Sequence, residues 1–280
     1  MSNQTYYYSI VILVINFVAR WAGIVGCYCS LAFGGGALRG LAADFDRMHP
    51  EYGRVLKAHV SHGLVDYSSL RSHPEPLNGY LAGVAAVTKA EFLGWGRDDQ
   101  IAFLCNAYNA YTLRLIVDNY PVQSIRDIGG FLQGPWDRPI AKVFGTAHTL
   151  NDLEHRMLRR DYAEPRIHFA LVCAAKGCPP LREEPYVGGR LAEQLDAQAR
   201  AFLADPAKNR IDAANRTVHL SPIFKWYGAD FQEAADSVLV LLKPYWPAEA
   251  KVGAMGDFKI RYTDYDWSLN DAPASRLQVR

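Results

Sequence analysis

Cys173 and Cys178 bracket the tetrapeptide Ala-Ala-Lys-Gly, and Pro179-Pro180 fixes the chain just beyond them. The residues before them, RIHFALV from Arg166 to Val172, form an unbroken run of strand formers and read as a central strand. Loops that leave the end of a strand are where sheet proteins place working residues. Lys176 and the backbone amides of such a turn would favour a thiolate, the reactive form of cysteine. The pair therefore suits a nucleophile or a redox couple. His168 lies on the same run, five residues before Cys173. In an extended chain at about 3.3 Å per residue the two are roughly 16 Å apart, beyond hydrogen-bond reach. The imidazole meets a thiol only if the chain turns back. A CAAKGC turn would return Cys178 more readily than Cys173, while His148 or His155 could serve Cys173 from another element.

Other polar residues stand where burial demands partners. Asn106 and Asn109 are three apart inside an apolar helical stretch and so share a face. Burying an unpaired amide costs about 1 to 3 kcal/mol, so both need partners. They either tie the helix to a loop or strand end, or orient an imidazole as in Cys-His-Asn sites. Glu154 and His155 stand near the start of a helix, as a surface pair or with Glu154 orienting a ring. Trp226 and Tyr227 are either core aromatics or the wall of a binding region.

Three chemistries follow. The first is a cysteine-dependent hydrolase or acyltransferase acting on an amide, peptide or thioester. Cys173 or Cys178 attacks, His168 moves the proton, Asn106 or Glu154 orients the histidine, and Asn109, Lys176, Trp226 and Tyr227 hold a small-molecule or peptide substrate. The second is a non-enzymatic binding or scaffold domain in which a Cys173–Cys178 disulfide rigidifies the turn. The third is a metal site at His168, Cys173 and Cys178, although His-x4-Cys-x4-Cys lacks the tight Cys-x2-Cys of zinc sites and needs a fourth ligand. No cofactor is expected. Cys105, inside the apolar helix, is read as a small hydrophobe.

The elements that must position these groups are legible in outline. Of 280 residues, 50% are hydrophobic and 21% are charged, and the net charge of +1 with mixed signs argues against a nucleic-acid surface. From Ser9 to Phe33 the only charge is Arg20, and a run of that length reaches across a bilayer, which needs roughly 20 apolar residues. Residues 1–40 are expected to be a signal peptide or a membrane or lipid anchor. Cys27 would be the acylated residue of a lipoprotein, and the product would be exported, periplasmic or membrane-anchored. Residues 41–280 read as one soluble domain.

Asp98 to Asn119 is the clearest helix. Acidic residues open it, Tyr120-Pro121 closes it, and it is apolar nearly all round, as a buried central helix is. PIAKVFGTAHTL reads as two strands around Gly145, and NRIDAANRTVHLS reads as a hairpin. Helices are expected near residues 50–60, from 151, at 190–203 and after Pro222, with FKIRYTDYDWSLN closing the domain as a strand. Helices and hairpins mix without βαβ alternation, so the expected fold is α+β, a buried central helix packed on a small, mostly antiparallel sheet. A papain/transglutaminase-like arrangement is one form it could take.

The stretches AFLCNAYNAYTL, TLNDLEHRMLR, IHFALVCAAKGCPPL, SPIFKWYGADF and YDWSLN occur in the order and approximate spacing of one family. The chain resembles, over about residues 50 to 270, a bacterial exported or anchored member of the domain-of-unknown-function 547 family. That resemblance implies no reaction. Cys105 stands where the family usually has an apolar residue, which argues against a functional role for it.

Overall fold

The computed structural model describes residues 44–130, 133–246 and 258–272. The expected export or anchor segment at 1–40 lies outside the described residues. Among the described residues, no helix is long and apolar enough to cross a membrane.

Helix α1 (Pro50–His59) leads through the short strands β1 (Val60–Ser61) and β2 (Leu64–Val65) to α2 (Tyr67–Ser72), α3 (Glu75–Ala86) and α4 (Lys89–Leu93). Tyr52 of α1 stacks on Tyr80 of α3 with ring centroids 4.8 Å apart. The long helix α5 (Arg97–Asn119) then runs through the middle of the core. Asp98 and Asp99 complement its N-terminal dipole, and buried side chains occur on every face from Ile101 to Val117. This is the central helix expected from the sequence.

The hairpin β3 (Ala141–Val143) and β4 (Thr146–His148) follows, turning at Phe144-Gly145. A π-helix over Asp152–Arg159 continues into α6 (Arg160–Tyr162). After α7 (Ile167–Ala170) and an irregular loop come α8 (Leu191–Leu203) and a three-stranded sheet. In that sheet β5 (Arg210–Asp212) and β6 (Thr217–Leu220) are antiparallel, and β7 (Lys259–Tyr262) lies parallel to β6. Between β6 and β7 run α9 (Ile223–Trp226), α10 (Gly228–Ala234) and α11 (Val238–Leu242). The class is α+β with small, mostly antiparallel sheets, and among the described residues the strands are dispersed in three separate sheets rather than one.

One expected element is different. Residues 166–172 do not form a central strand; Ile167–Ala170 is a single helical turn, and the chain becomes extended from Leu171. The turn serves two cores at once. Ile167 and Ala170 pack into the main cluster around α5, while Phe169 packs with Phe202, Phe224 and Phe231 in a second cluster. A short apolar run does not reveal by itself whether it is strand or buried helix, and here packing on two sides selects the turn.

Candidate active site

The loop from Leu171 to Pro180 is held from both sides by backbone hydrogen bonds. From α5, Asn109 donates through Nδ2 to the Ala170 carbonyl and accepts the Val172 N–H at Oδ1, both at 2.9 Å. From the C-terminal segment, the Ser268 and Asp266 carbonyls accept the Lys176 and Gly177 N–H groups at 2.9 and 2.8 Å, and the Asn270 N–H donates to the Ala174 carbonyl at 3.0 Å. Gly177 is needed there, because a Cβ would come within 3.0 Å of Asp266 backbone atoms. Ala174 adopts φ 60°, a left-handed conformation that disfavours residues with a Cβ. The loop is thus strained at one residue and clamped at several.

This clamping brings the two cysteines together as a disulfide with Cα atoms 6.4 Å apart. The Cys173 N–H donates to Cys178 Sγ at 3.0 Å. The Tyr265 hydroxyl donates to Cys178 Sγ at 3.0 Å and lies 3.3 Å from Cys173 Sγ. Cys178 is buried, and Cys173 is half-buried.

His168 projects from α7 against Tyr227, stacked at 3.8 Å between centroids, with Phe231 edge-on at 5.4 Å. Its Nε2 lies 2.7 Å from Asp230 Oδ2. Arg159 donates to both oxygens of the same carboxylate at 2.7 Å. Arg159, and after it His168, hold the Asp230 carboxyl far below the usual carboxylate range. Burial lowers the His168 value, and the hydrogen bond to Asp230 only partly opposes this. Near neutral pH the pair is therefore a neutral imidazole donating from Nε2 to an ionised carboxylate, which leaves Nδ1 as the basic nitrogen.

Glu154 comes from the π-helix, whose first turn is capped by reciprocal bonds between Thr149 and Asp152, both at 2.9 Å. It is buried, while its expected partner His155, whose Nδ1 lies 4.0 Å from Glu154 Oε1, is exposed, so only the imidazole of the pair is at the surface. It lies near the phenols of Tyr108 and Tyr227, and after burial its negative charge is the next cause holding both protonated. The carboxylate that orients His168 is Asp230, not Glu154.

These groups border one cavity of about 220 Å³. Cys173, Cys178, His168, Glu154, Trp226 and Tyr227 all line it, joined by His155, Tyr108, Trp136, Tyr265 and Trp267. Three expected site residues do not. Asn106 spends its amide on the Tyr186 backbone, donating at 2.7 Å and accepting at 2.9 Å. Asn109 is likewise committed to backbone, and Lys176 is exposed. The asparagines position the chain rather than an imidazole. His148 pairs locally with Thr146 at 2.8 Å. Sequence reasoning missed Asp230, Tyr265 and Trp267, although all three lie in the motif stretches GADF and YDWSLN. Cys105 is free and buried, and burial pushes its thiol up. Among the described residues, no group of three His, Cys, Asp or Glu is arranged to hold a metal ion. In the oxidised form the two sulfurs bond each other and His168 Nε2 lies on Asp230, so these three groups do not converge on a common point.

Among known families, the model described as Protein of unknown function, DUF547, matches residues 92–203. The matched region runs from α4 through α8 and includes α5, Glu154, His168 and both cysteines, and is shorter than the span of about 50 to 270 expected from the motifs. No curated protein and no solved structure gives a significant match.

Proposed function

We propose, for a chain whose residues 92–203 belong to the DUF547 family, that the cavity is the active site of a cysteine-dependent hydrolase or acyltransferase and that Cys173 is its nucleophile. The observation that carries this reading is the shared cavity. A half-buried sulfur and an imidazole fixed by a carboxylate line the same cavity. The Asp230–His168 pair supplies what a triad requires, a ring held in one tautomer with its remaining nitrogen basic.

A dithiol reductant first opens the disulfide, two electrons and two protons yielding both thiols. The Cys173 thiol then gives its proton to His168 Nδ1 and forms an S–C bond to the carbonyl of an amide, ester or thioester. The carbonyl π electrons move to oxygen, and the Tyr265 hydroxyl beside the sulfurs is the donor placed to bond that oxyanion. Collapse expels the leaving group, which takes the proton from His168, and water or a second nucleophile releases the acyl group. An exported or membrane-anchored location would suit the oxidised resting form.

The test is intact-mass analysis of reduced protein exposed to p-nitrophenyl acetate. An acetyl adduct on the Cys173 peptide, absent from Cys173→Ser, is expected. Absence of any adduct on Cys173 refutes the proposal. A second reading, a binding domain stapled by the disulfide, is favoured by one observation, the bond from Tyr265 that fastens the bridge to the C-terminal segment. On that reading, reduction lowers stability without creating reactivity.

A further inference from the structure

The cavity walls are unusual in charge. Among the described residues, Glu154 is the carboxylate that lines it, while Arg126 lies over one wall ring, 5.1 Å from the Trp267 centroid, and Arg159 lies 5.0 Å from the centroid of Tyr227. Arg159 is committed to Asp230 through two bonds, and its remaining Nη1 meets His155 Nδ1 at 2.9 Å. Lys176 is exposed and does not line the space. Beside the phenols, the group paired with Glu154 is the His155 imidazole, Nδ1 to Oε1 4.0 Å, rather than a permanent cation such as usually accompanies a buried carboxylate.

The remaining walls are largely aromatic. Trp226 stacks on Trp267 at 5.9 Å, Tyr265 lies 4.6 Å from Trp267 and 4.8 Å from Trp226, and Trp136 meets Trp267 edge-on at 6.0 Å. Indole and phenol faces are negative and attract cations, more strongly where water is excluded. A volume of about 220 Å³ holds roughly seven waters at about 30 Å³ each, enough for a compact head group but small for a drug-sized ligand.

We infer that the cavity takes a ligand bearing a compact organic cation, an ammonium or quaternary ammonium group, held between Glu154 and the aromatic wall formed by Trp136, Trp226, Tyr265 and Trp267. This rests on the reading of the cavity as the substrate site and names the substrate class. The acyl compound attacked by Cys173 carries a positive charge close to its reacting carbonyl.

The experiment is calorimetric titration of the oxidised full chain with choline and with 3,3-dimethylbutan-1-ol, which replaces the trimethylammonium group with a neutral group of the same shape. Choline is expected to bind about 10-fold more tightly. Glu154→Gln should erase that preference, and Trp226→Ala, at a half-exposed position where folding is secure, should weaken choline but not the alcohol. Equal binding of the two probes, or no choline binding at 10 mM as the order-of-magnitude ceiling of the titration, overturns the inference. So does a preference that survives both substitutions. Because the disulfide is intact, thiol chemistry is silent in this assay. Choline binding without an acetyl adduct refutes the enzyme reading alone, and an adduct without choline preference refutes the cation site alone.

Discussion

Asn109→Ala tests whether α5 acts as the frame of the thiol loop. The amide is 3% exposed and both of its ends are used, one on the Ala170 carbonyl and one on the Val172 N–H. Truncation orphans two buried backbone groups, each at a cost of about 1 to 3 kcal/mol, and leaves a small void. The expected loss is about 2 to 5 kcal/mol. A domain of this size changes its Tm by roughly 2 to 4 °C per kcal/mol, so the melt should fall on the order of 10 °C. Asn109→Asp keeps the acceptor for Val172 but sets an oxygen against the Ala170 carbonyl, and should cost at least as much as losing one bond. The assay is thermal and urea unfolding of the oxidised protein. Because Ala170 and Val172 lie within the stretch from His168 to Cys173, the loosened loop should also be reduced faster by dithiothreitol. A Tm within about 1 °C of wild type, against the roughly 10 °C expected, would refute the claim that this side chain positions the site.

Further outcomes follow from the same geometry. Reducing the Cys173–Cys178 disulfide should cost about 2 kcal/mol, the chain-entropy value for so short a loop, read as a fall in the urea midpoint that Cys178→Ser reproduces. Gly177→Ala should lower stability, since its Cβ would sit 3.0 Å from Asp266 backbone atoms that are themselves hydrogen-bonded to the loop; an unchanged melt would contradict this. Acid should destabilise the domain. Burial lowers His49 to about 4 and lowers His168 as well, so each contributes stability that is complete above the unfolded value near 6.5 and is lost as pH falls below it. Asp230, a depressed carboxylate, adds a loss of the same sign only below about 3.9. Urea unfolding at pH 7.5 and 4.5 should differ by on the order of 3 kcal/mol from His49 alone, and His49→Gln should flatten the profile.

Local signals in the sequence were enough for the elements whose causes are local. Acidic residues and Tyr120-Pro121 bound α5, Gly145 marks the turn of β3–β4, and Ala213-Ala214-Asn215 lies in the turn of β5–β6. The α+β class and several cavity residues followed from them. What escaped depends on distant partners. Whether 167–170 is strand or helix is decided by Phe169 packing against Phe202, Phe224 and Phe231, which no window around it contains. The carboxylate that fixes His168 lies 62 residues away, and the hydroxyl over the sulfurs lies 87 residues from Cys178. Asp230 and Tyr265 lie in the stretches GADF and YDWSLN, but nothing local there shows which distant group each one meets. Asn106 and Asn109 were correctly read as needing partners, and only the fold shows that those partners are backbone.

The central claim is that Cys173, once reduced, is a thiol activated by the His168–Asp230 pair. The direct measurement is the rate of iodoacetamide alkylation of Cys173 and Cys178 in reduced protein across pH 6 to 9 as the approximate titration range of thiols and imidazole, read peptide by peptide by mass spectrometry. The account predicts that Cys173 reacts faster at pH 7 than a cysteine in an unfolded peptide and that buried Cys178 reacts more slowly. It also predicts that His168→Ala and Asp230→Asn slow Cys173 by about 10-fold or more while the fold persists. A Cys173 rate no greater than the free thiol, or one untouched by His168→Ala, contradicts it.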